Sequence, residues 1–193
     1  MAAARAHRRG AAREAGEYLH DALALLARVP HASVRRRREL ELRVALEPVL
    51  MEHFGPASDA LQQNGERAQA LSEGVGDPAL RFQILFGLCH VFAMRGDGAR
   101  PHPAIDALLD LARQMGSAEH RFLADSLRCR TDAHRARFAD SCAAGQAFQT
   151  AARQGASAPV ACGADPVVGA LNHYTLSSWM TGEVGRDRAI VRE

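Results

Sequence analysis

The sequence predicts an all-α fold, an α-solenoid of about eight helices arranged in antiparallel pairs. Aromatic residues make up only 5% of the 193 residues, and Ala, Leu, Arg and Glu are abundant while β-branched residues are few, which favours helices over sheet. Apolar residues recur at three- and four-residue steps, the helical period. In addition, the stretches 74–97 and 161–183 share one pattern, a Gly, an Asp-Pro step, an apolar run and a Gly followed by an acid. This shared pattern indicates an internal repeat.

Three helices are predicted before the repeat begins. The first covers about 11–29 and ends at Pro30, with one apolar stripe formed by Tyr18, Leu19, Ala22, Leu25 and Leu26. The second covers about 33–53, with Leu42, Leu46, Val49 and Leu50 on one side. Pro48 lies inside it and is expected to bend or interrupt it, because proline removes a backbone hydrogen bond. A turn at Gly55-Pro56 leads to a more polar third helix, about 57–75.

The repeat supplies the remaining helices. Asp77 is predicted to cap a helix that ends at Gly96 and is apolar around most of its circumference, which is typical of a buried helix. The helix at 103–115 has a single stripe and should lie outside it. Ser117 is predicted to cap a helix reaching Phe138, followed by an outer helix at 139–155. The last full helix, opened by Asp165, is expected to bury Val167, Val168, Leu171, Tyr174 and Trp179.

The spacing of these signals supports a helical array. The predicted caps are 40 and 48 residues apart, and the predicted helix ends at Gly96, Ala136 and Gly182 are 40 and 46 apart. A period in the forties is typical of an α-solenoid. We therefore expect one helical-repeat domain, 1–193, with lead-in pairs at 11–75, repeats at 77–115 and 117–155, and an incomplete repeat at 165–193.

Several segments of the sequence resemble segments of a known protein family. They are EYLHDALALLARVP (17–30), RELELRVALEPVLM (38–51), GDPALRFQILFGLCHVFAMRGD (76–97), ADSLRCRTDAHRARFADSCAAGQAF (124–148) and CGADPVVGALNHYTLSSWMTGEVGRDRAI (162–190). In this order they resemble the tetratricopeptide-like C-terminal region of large bacterial signalling ATPases, which also carry cyclase, kinase or LuxR-type DNA-binding domains. Ala136 departs from the pattern, which favours Gly there, and Arg137 stands where an acid is common.

The resemblance implies a regulatory role without catalysis. No ATPase, cyclase or helix-turn-helix motif is present in the sequence, so no catalytic residue of the family can be assigned here. The expected function is a protein-interaction module, a fragment or detached tail of an ATPase-type signalling or transcriptional regulator. Its partner would be another protein or an adjacent ATPase or effector domain.

Composition excludes several kinds of chemistry. All 24 basic residues are Arg, so the chain cannot supply the lysine of a Walker phosphate loop or of a pyridoxal Schiff base. The metal spacings H-E-x-x-H and C-x-x-C are missing, and we expect no metal, cofactor or catalytic residue. No run reaches the roughly 18 apolar residues of a membrane span. The four cysteines, Cys89, Cys129, Cys142 and Cys162, are expected to be reduced core residues of a cytoplasmic protein.

Two other functions remain open. The cluster Arg35–Arg38 could bind nucleic acid, making the chain an adaptor; the competing interpretation is a solvated helix face whose arginines pair with Glu39 and Glu41. A Cys/His-dependent enzyme would use Cys89 with His90, or Cys129 with His134, but no third orienting residue is evident.

The expected partner surface is a concave face lined by inner helices. Its candidate residues are Arg81, Gln83, His90, His134 and Asn172. Trp179, with His173 and Tyr174, either lines a groove or packs against a neighbouring repeat. Ile190 and Val191 are expected to begin an unfinished outer helix, and such an open end predicts self-association, an absent neighbouring domain or a truncated gene.

Overall fold

The chain folds into helices throughout its described part. The computed structural model describes the backbone of residues 2–96, 101–155 and 166–183 and the side chains of 13–96, 104–155 and 167–183. These residues form eight α-helices and no strand, which confirms the predicted all-α class, and none of the helices is long and apolar enough to cross a membrane. The helices are α1 Ala2–Leu25, α2 Ala32–Phe54, α3 Asp59–Ser72, α4 Pro78–Arg95, α5 Pro101–Met115, α6 Ala118–His134, α7 Phe138–Arg153 and α8 Pro166–Met180, with a 3₁₀ turn at Leu26–Arg28.

The helix starts depend on side-chain caps. The Asp77 carboxylate accepts from the amides of Ala79 and Leu80 at 3.0 and 3.1 Å, and Ser117 Oγ accepts from the His120 amide at 3.3 Å. Each cap satisfies backbone donors that have no partner within the helix. Both predicted caps are therefore confirmed, while Asp165 lies outside the described residues.

The helix ends depend on left-handed residues. Gly96, Ala136 and Gly182 have φ values of 68°, 57° and 81°. Ala136 is the one described non-glycine residue with positive φ, a conformation that costs an L-residue roughly 1–2 kcal/mol. Because the chain turns at Ala136, α6 ends at His134 and α7 begins at Phe138, so the predicted continuation of α6 to Phe138 was wrong.

The chain divides into two compact units, Met1–Met94 and Arg95–Glu193. In the N-terminal unit α1 packs on α2, α2 packs on α3, and α4 packs on both α2 and α3. Two aliphatic clusters form its core: Leu40, Ala68, Leu71 and Ile84 in one, and Leu46, Leu50, Leu61 and Val91 in the other.

The C-terminal unit repeats this arrangement with different side chains. There α5 packs on α6, α6 packs on α7, and α8 packs on both α6 and α7. Phe122 of α6 stacks on Phe148 of α7 with ring centroids 4.2 Å apart, and Ala170 of α8 covers the pair. A second cluster consists of Cys129, Cys142, Ala144 and Tyr174.

Two predictions about the first helices hold only in part. Of the predicted stripe of α1, Leu19 packs against the core, but Tyr18 and Leu25 are 74% and 53% exposed. Leu23 and buried Gly16 complete the face that α1 turns toward α2. A β-carbon at Gly16 would lie 3.1 Å from Val49, so this small residue, and not the bulkiest apolar stripe, determines which face packs. Pro48 does not interrupt α2, which runs from Ala32 to Phe54 with Leu46 and Leu50 on either side of the proline buried in the core.

Candidate interaction surface on helix α8

Helix α8 has one buried and one exposed face, and it contains no Asp, Glu, Lys or Arg. Ala170, Tyr174, Ser177 and Ser178 are at most 2% exposed. The opposite side, called here the outer face of α8, consists of Val168, Asn172, Leu176, Trp179 and Met180. Its apolar members are between 46% and 63% exposed. An uncharged, mostly apolar face of this kind is typical of an interaction site.

The outer face was not predicted from the sequence. Val168 and Trp179 were expected to point inward, and both expectations were wrong, since these residues are 56% and 63% exposed. The inward positions are occupied mainly by Ala and Ser, and such residues carry little hydrophobic signal. Apolarity alone therefore placed Val168 and Trp179 on the wrong side, although Tyr174 is buried as expected and Val167 packs against the core.

A close contact between α7 and α8 positions the helix. The ring of Tyr174 lies directly over Gly145, where a β-carbon would be 2.5 Å from Tyr174 Cδ2 and 2.7 Å from Cγ. Only glycine fits under the ring, because such a separation is well inside van der Waals contact. Small residues at Ser141, Cys142, Ala144 and Gly145 were the sequence signal for this close approach.

A buried hydroxyl network also joins α8 to α6 and α7. Ser177 Oγ donates to Ser141 Oγ at 2.8 Å, and Ser141 Oγ donates to the Cys129 carbonyl at 2.8 Å. Both serines have no exposed surface, so each hydroxyl needs a partner inside the protein. The network satisfies that need and fixes the rotation of α8 about its own axis.

The C-terminal turn of α8 is fixed by backbone bonds. The Glu183 amide donates to the Ser178 carbonyl at 2.8 Å, and the Gly182 amide donates to the Trp179 carbonyl at 3.1 Å. This is the pattern of a glycine-terminated helix. The last turn, which carries Trp179 and Met180, is therefore held in a defined conformation.

Two histidines meet beside the outer face. His134 at the end of α6 and His173 on α8 have their Nε2 atoms 3.0 Å apart. His173 Nδ1 lies 2.7 Å from the Gly169 carbonyl, which can only accept, so Nδ1 carries the proton. Burial lowers the pKa of His173, and the nearby positive charge of Arg130 acts in the same direction. The ring of His173 is accordingly neutral near pH 7.

The five residues predicted for a partner surface have different environments. Asn172 is on the outer face of α8 and His134 is exposed next to His173. Arg81 and Gln83 are exposed on α4, in the N-terminal unit. His90 is only 5% exposed; its assignment to an exposed face was wrong, because α4 is buried on nearly its whole circumference.

The side chains of the cluster Arg35–Arg38 make contacts within the N-terminal unit. Arg36 binds the carbonyls of Leu71, Ala70 and Glu73 at 3.0, 3.0 and 2.6 Å and thereby caps the C-terminus of α3. Arg35 donates to the Val29 carbonyl at 3.1 Å.

The remaining two arginines of the cluster form ion pairs. Arg37 and Arg38 both pair with Glu41, at 3.2 and 2.7 Å. Glu39 pairs instead with Arg43 and Arg67. Each arginine of the cluster therefore contacts another part of the N-terminal unit. The expected pairing with Glu41 is present, whereas Glu39 pairs with arginines outside the cluster.

Cys89 and Cys129 are protonated core thiols. Burial raises the pKa of Cys89 to about 12 and that of Cys129 to about 11. Since the nucleophile is the thiolate, neither sulfur is activated in this structure. Cys142 is also buried with a free thiol, whereas Cys162 lies outside the described residues. No group of three or more His, Cys, Asp or Glu side chains converges on a metal position within the described ranges.

Comparison with known proteins gives no relative. No family model matches the chain, and no curated protein or solved structure is significantly similar to it.

Proposed function

We propose that the chain is a non-catalytic protein-interaction module of regulatory type, and that its partner binds the outer face of α8. The observation that carries this proposal is the combination of exposure and rigidity. Trp179, Leu176 and Val168 project from a helix whose other side is locked by Gly145–Tyr174 and by the serine network. A rigid, exposed Trp with aliphatic neighbours is typical of an interface hot spot.

The chemistry of the face defines the partner. A charged partner residue buried against α8 would lose its hydration without meeting an opposite charge. An amphipathic helix with an apolar stripe fits, since the outer face extends over about 18 Å, roughly three helical turns. We therefore propose an apolar helix of another protein or domain as the ligand.

We further propose that the helices stack as a tetratricopeptide-like array. Two observations support this. The triplet α2–α3–α4 has the same set of packed pairs as the triplet α6–α7–α8. The left-handed residues Gly96 and Ala136 are 40 residues apart, and Gly116 and Gly155 are 39 apart.

The proposed stacking of the helices and the sequence segments that resemble the signalling ATPases together suggest where this module comes from. They support a module derived from the C-terminal region of a bacterial ATPase-type signalling regulator, whose partner would be the ATPase or an effector domain. An ATPase gene next to this one would supply the first partner to test. If that ATPase fails to bind the purified chain, this origin loses its main support.

Site-specific cross-linking tests the surface. A photoreactive amino acid is placed at Leu176 on the outer face and, as a matched control, at Ala147, which is exposed on α7. In the native cell the Leu176 probe should capture a protein that the Ala147 probe does not. The captured protein is then purified, and it should bind the wild-type chain and Ala147→Glu but not Leu176→Glu.

The outcomes separate the alternatives. Equal capture by both probes, or unchanged binding to Leu176→Glu, contradicts the proposal. Capture of a second copy of the chain alone would make the outer face a self-association surface and would also contradict binding of a different partner.

A further inference from the structure

We propose that His134 and His173 bind a divalent transition-metal ion, Zn²⁺ or Cu²⁺, through their Nε2 atoms and so link α6 to α8. The two rings approach edge-on, with centroids 4.9 Å apart and planes inclined by 70°. Their Nε2 atoms are already 3.0 Å apart. This inference stands independently of the proposed partner surface.

The spacing of the two nitrogens suits a shared metal ion. Two imidazole nitrogens at the usual 2.0–2.1 Å from a tetrahedral zinc ion lie about 3.3 Å from each other. In a square arrangement, which Cu²⁺ prefers, they lie about 2.9 Å apart. The observed 3.0 Å falls between these values. To admit the ion, both rings must turn so that their Nε2 lone pairs meet at one point beside the line that joins the two nitrogens.

The protonation of His173 also fits ligation. Its Nδ1–H donates to the Gly169 carbonyl, and a backbone carbonyl in this position is the usual support for a metal-bound imidazole. The lone pair of its Nε2 therefore points at His134. Without metal, His134 Nε2–H donates to that lone pair. On binding, the His134 proton is exchanged through solvent to Nδ1, and both Nε2 atoms become ligands with no net proton release.

The surroundings determine which ion binds and how tightly. Imidazole ligands favour zinc or copper over Mg²⁺ and Ca²⁺, which prefer oxygen. The described residues supply no third protein ligand, so water fills the other positions, and the nearby Arg130 charge opposes the cation. Affinity should therefore be weaker than that of a four-ligand structural zinc site.

Calorimetric titration of the purified chain with ZnCl₂ and with CuSO₄, after removal of metal by chelation, tests the site. Wild type should bind one ion, and His134→Gln and His173→Gln should each raise the dissociation constant by at least about tenfold. His53→Gln is the control, because His53 is exposed on α2 in the N-terminal unit; it should bind as wild type does.

Electron paramagnetic resonance of the Cu²⁺ complex gives a second measurement. The spectrum should show coupling to two imidazole nitrogens in wild type and to one in His134→Gln. The exposed position of His134 makes this variant the safer one for folding, which circular dichroism checks. Equal affinity in all four proteins, or no binding by a folded wild-type chain, would overturn the proposal and leave a plain imidazole–imidazole hydrogen bond.

Discussion

Helix α4 is the third helix of the triplet α2–α3–α4, and α8 is the third helix of α6–α7–α8. Each packs one face on its own triplet, and the two helices differ in the exposure of the opposite face, called here the second face. When they are aligned through the turns at Gly96 and Gly182, their inward residues correspond and are all buried: Ile84 with Ala170, Leu88 with Tyr174, and Val91 with Ser177. On the second face the correspondence fails. Phe82, His90 and Ala93 are at most 5% exposed, whereas Val168, Leu176 and Trp179 are 46–63% exposed.

The difference shows that apolar composition does not determine whether a helix face is covered. Both helices are apolar on two sides, and the inward packing of each is complete. What distinguishes them is the environment of the second side. The outer face of α8 has the apolar character of the buried second side of α4 but is open to solvent, which is why we assign a partner to it.

The largest expected effect comes from truncating corresponding residues on the two second faces. Phe82→Ala should lower the free energy of unfolding by about 3–5 kcal/mol, because it leaves a cavity in the core. Val168→Ala, at the corresponding position of α8, should change it by less than about 0.5 kcal/mol. Urea-induced unfolding followed by circular dichroism measures both. Similar losses in the two variants would mean that the second faces are equally covered.

Two helical glycines sharpen the comparison. Gly145→Ala should destabilise by about 1–3 kcal/mol, because the methyl group collides with the fixed ring of Tyr174. At Gly87 of α4 the closest atoms are those of the Glu47 carboxylate, the end of a flexible side chain that can move. There the gain in helix propensity, about 0.5–1 kcal/mol, should leave Gly87→Ala near neutral. Thermal unfolding distinguishes the two, and a larger loss at Gly87 would reverse this account.

The arginine cluster offers a smaller contrast within one helix. Arg36→Ala should cost about 1 kcal/mol, because three carbonyls at the end of α3 lose their donor. Arg37→Ala should cost at most about 0.5 kcal/mol, since it removes one exposed ion pair. Stability measurements on the two variants check this. Equal, negligible effects would show that Arg36 is not needed for stability, and Arg36 would then remain a candidate for contacting nucleic acid.

The smallest effect is a pH dependence in the C-terminal unit. Because the folded pKa of His173 lies below its ordinary value of 6.5, the unfolded chain takes up its proton first, and stability should fall as the pH is lowered below about 6.5. His134 and Arg130, which face the ring, both act to lower the pKa of His173 further. Between about pH 7.5 and 5.5, a range that brackets the ordinary histidine pKa, the free energy of unfolding of His173→Gln should vary less with pH than that of wild type. An unchanged slope would show that another group dominates.

The sequence predicted the helices better than their faces. Asp77 and Ser117 were identifiable as caps, and Gly96 and Ala136 as helix ends, because capping and left-handed turns depend on local residue chemistry. The rotation of α1 and α8 was not predictable from the largest apolar side chains. It is determined by small residues at close contacts, such as Gly16 against Val49 and Gly145 under Tyr174.

The candidate sites show the same limit. Asn172 and His134 are exposed, but nothing in the sequence places His134 against His173, 39 residues away. His90 was misplaced because its helix is buried on both sides. Pairing between helices depends on their register, which a single sequence does not encode in local signals.

Trp179 fluorescence tests the central claim most directly, because it is the only tryptophan in the chain. In the purified chain at low concentration its emission should resemble that of tryptophan in water, and acrylamide should quench it as it quenches a free tryptophan derivative. Addition of the partner should shift the emission to shorter wavelength and reduce quenching. A blue-shifted, quencher-protected emission in the chain alone, independent of concentration, would show that the outer face of α8 is already covered and would contradict the account.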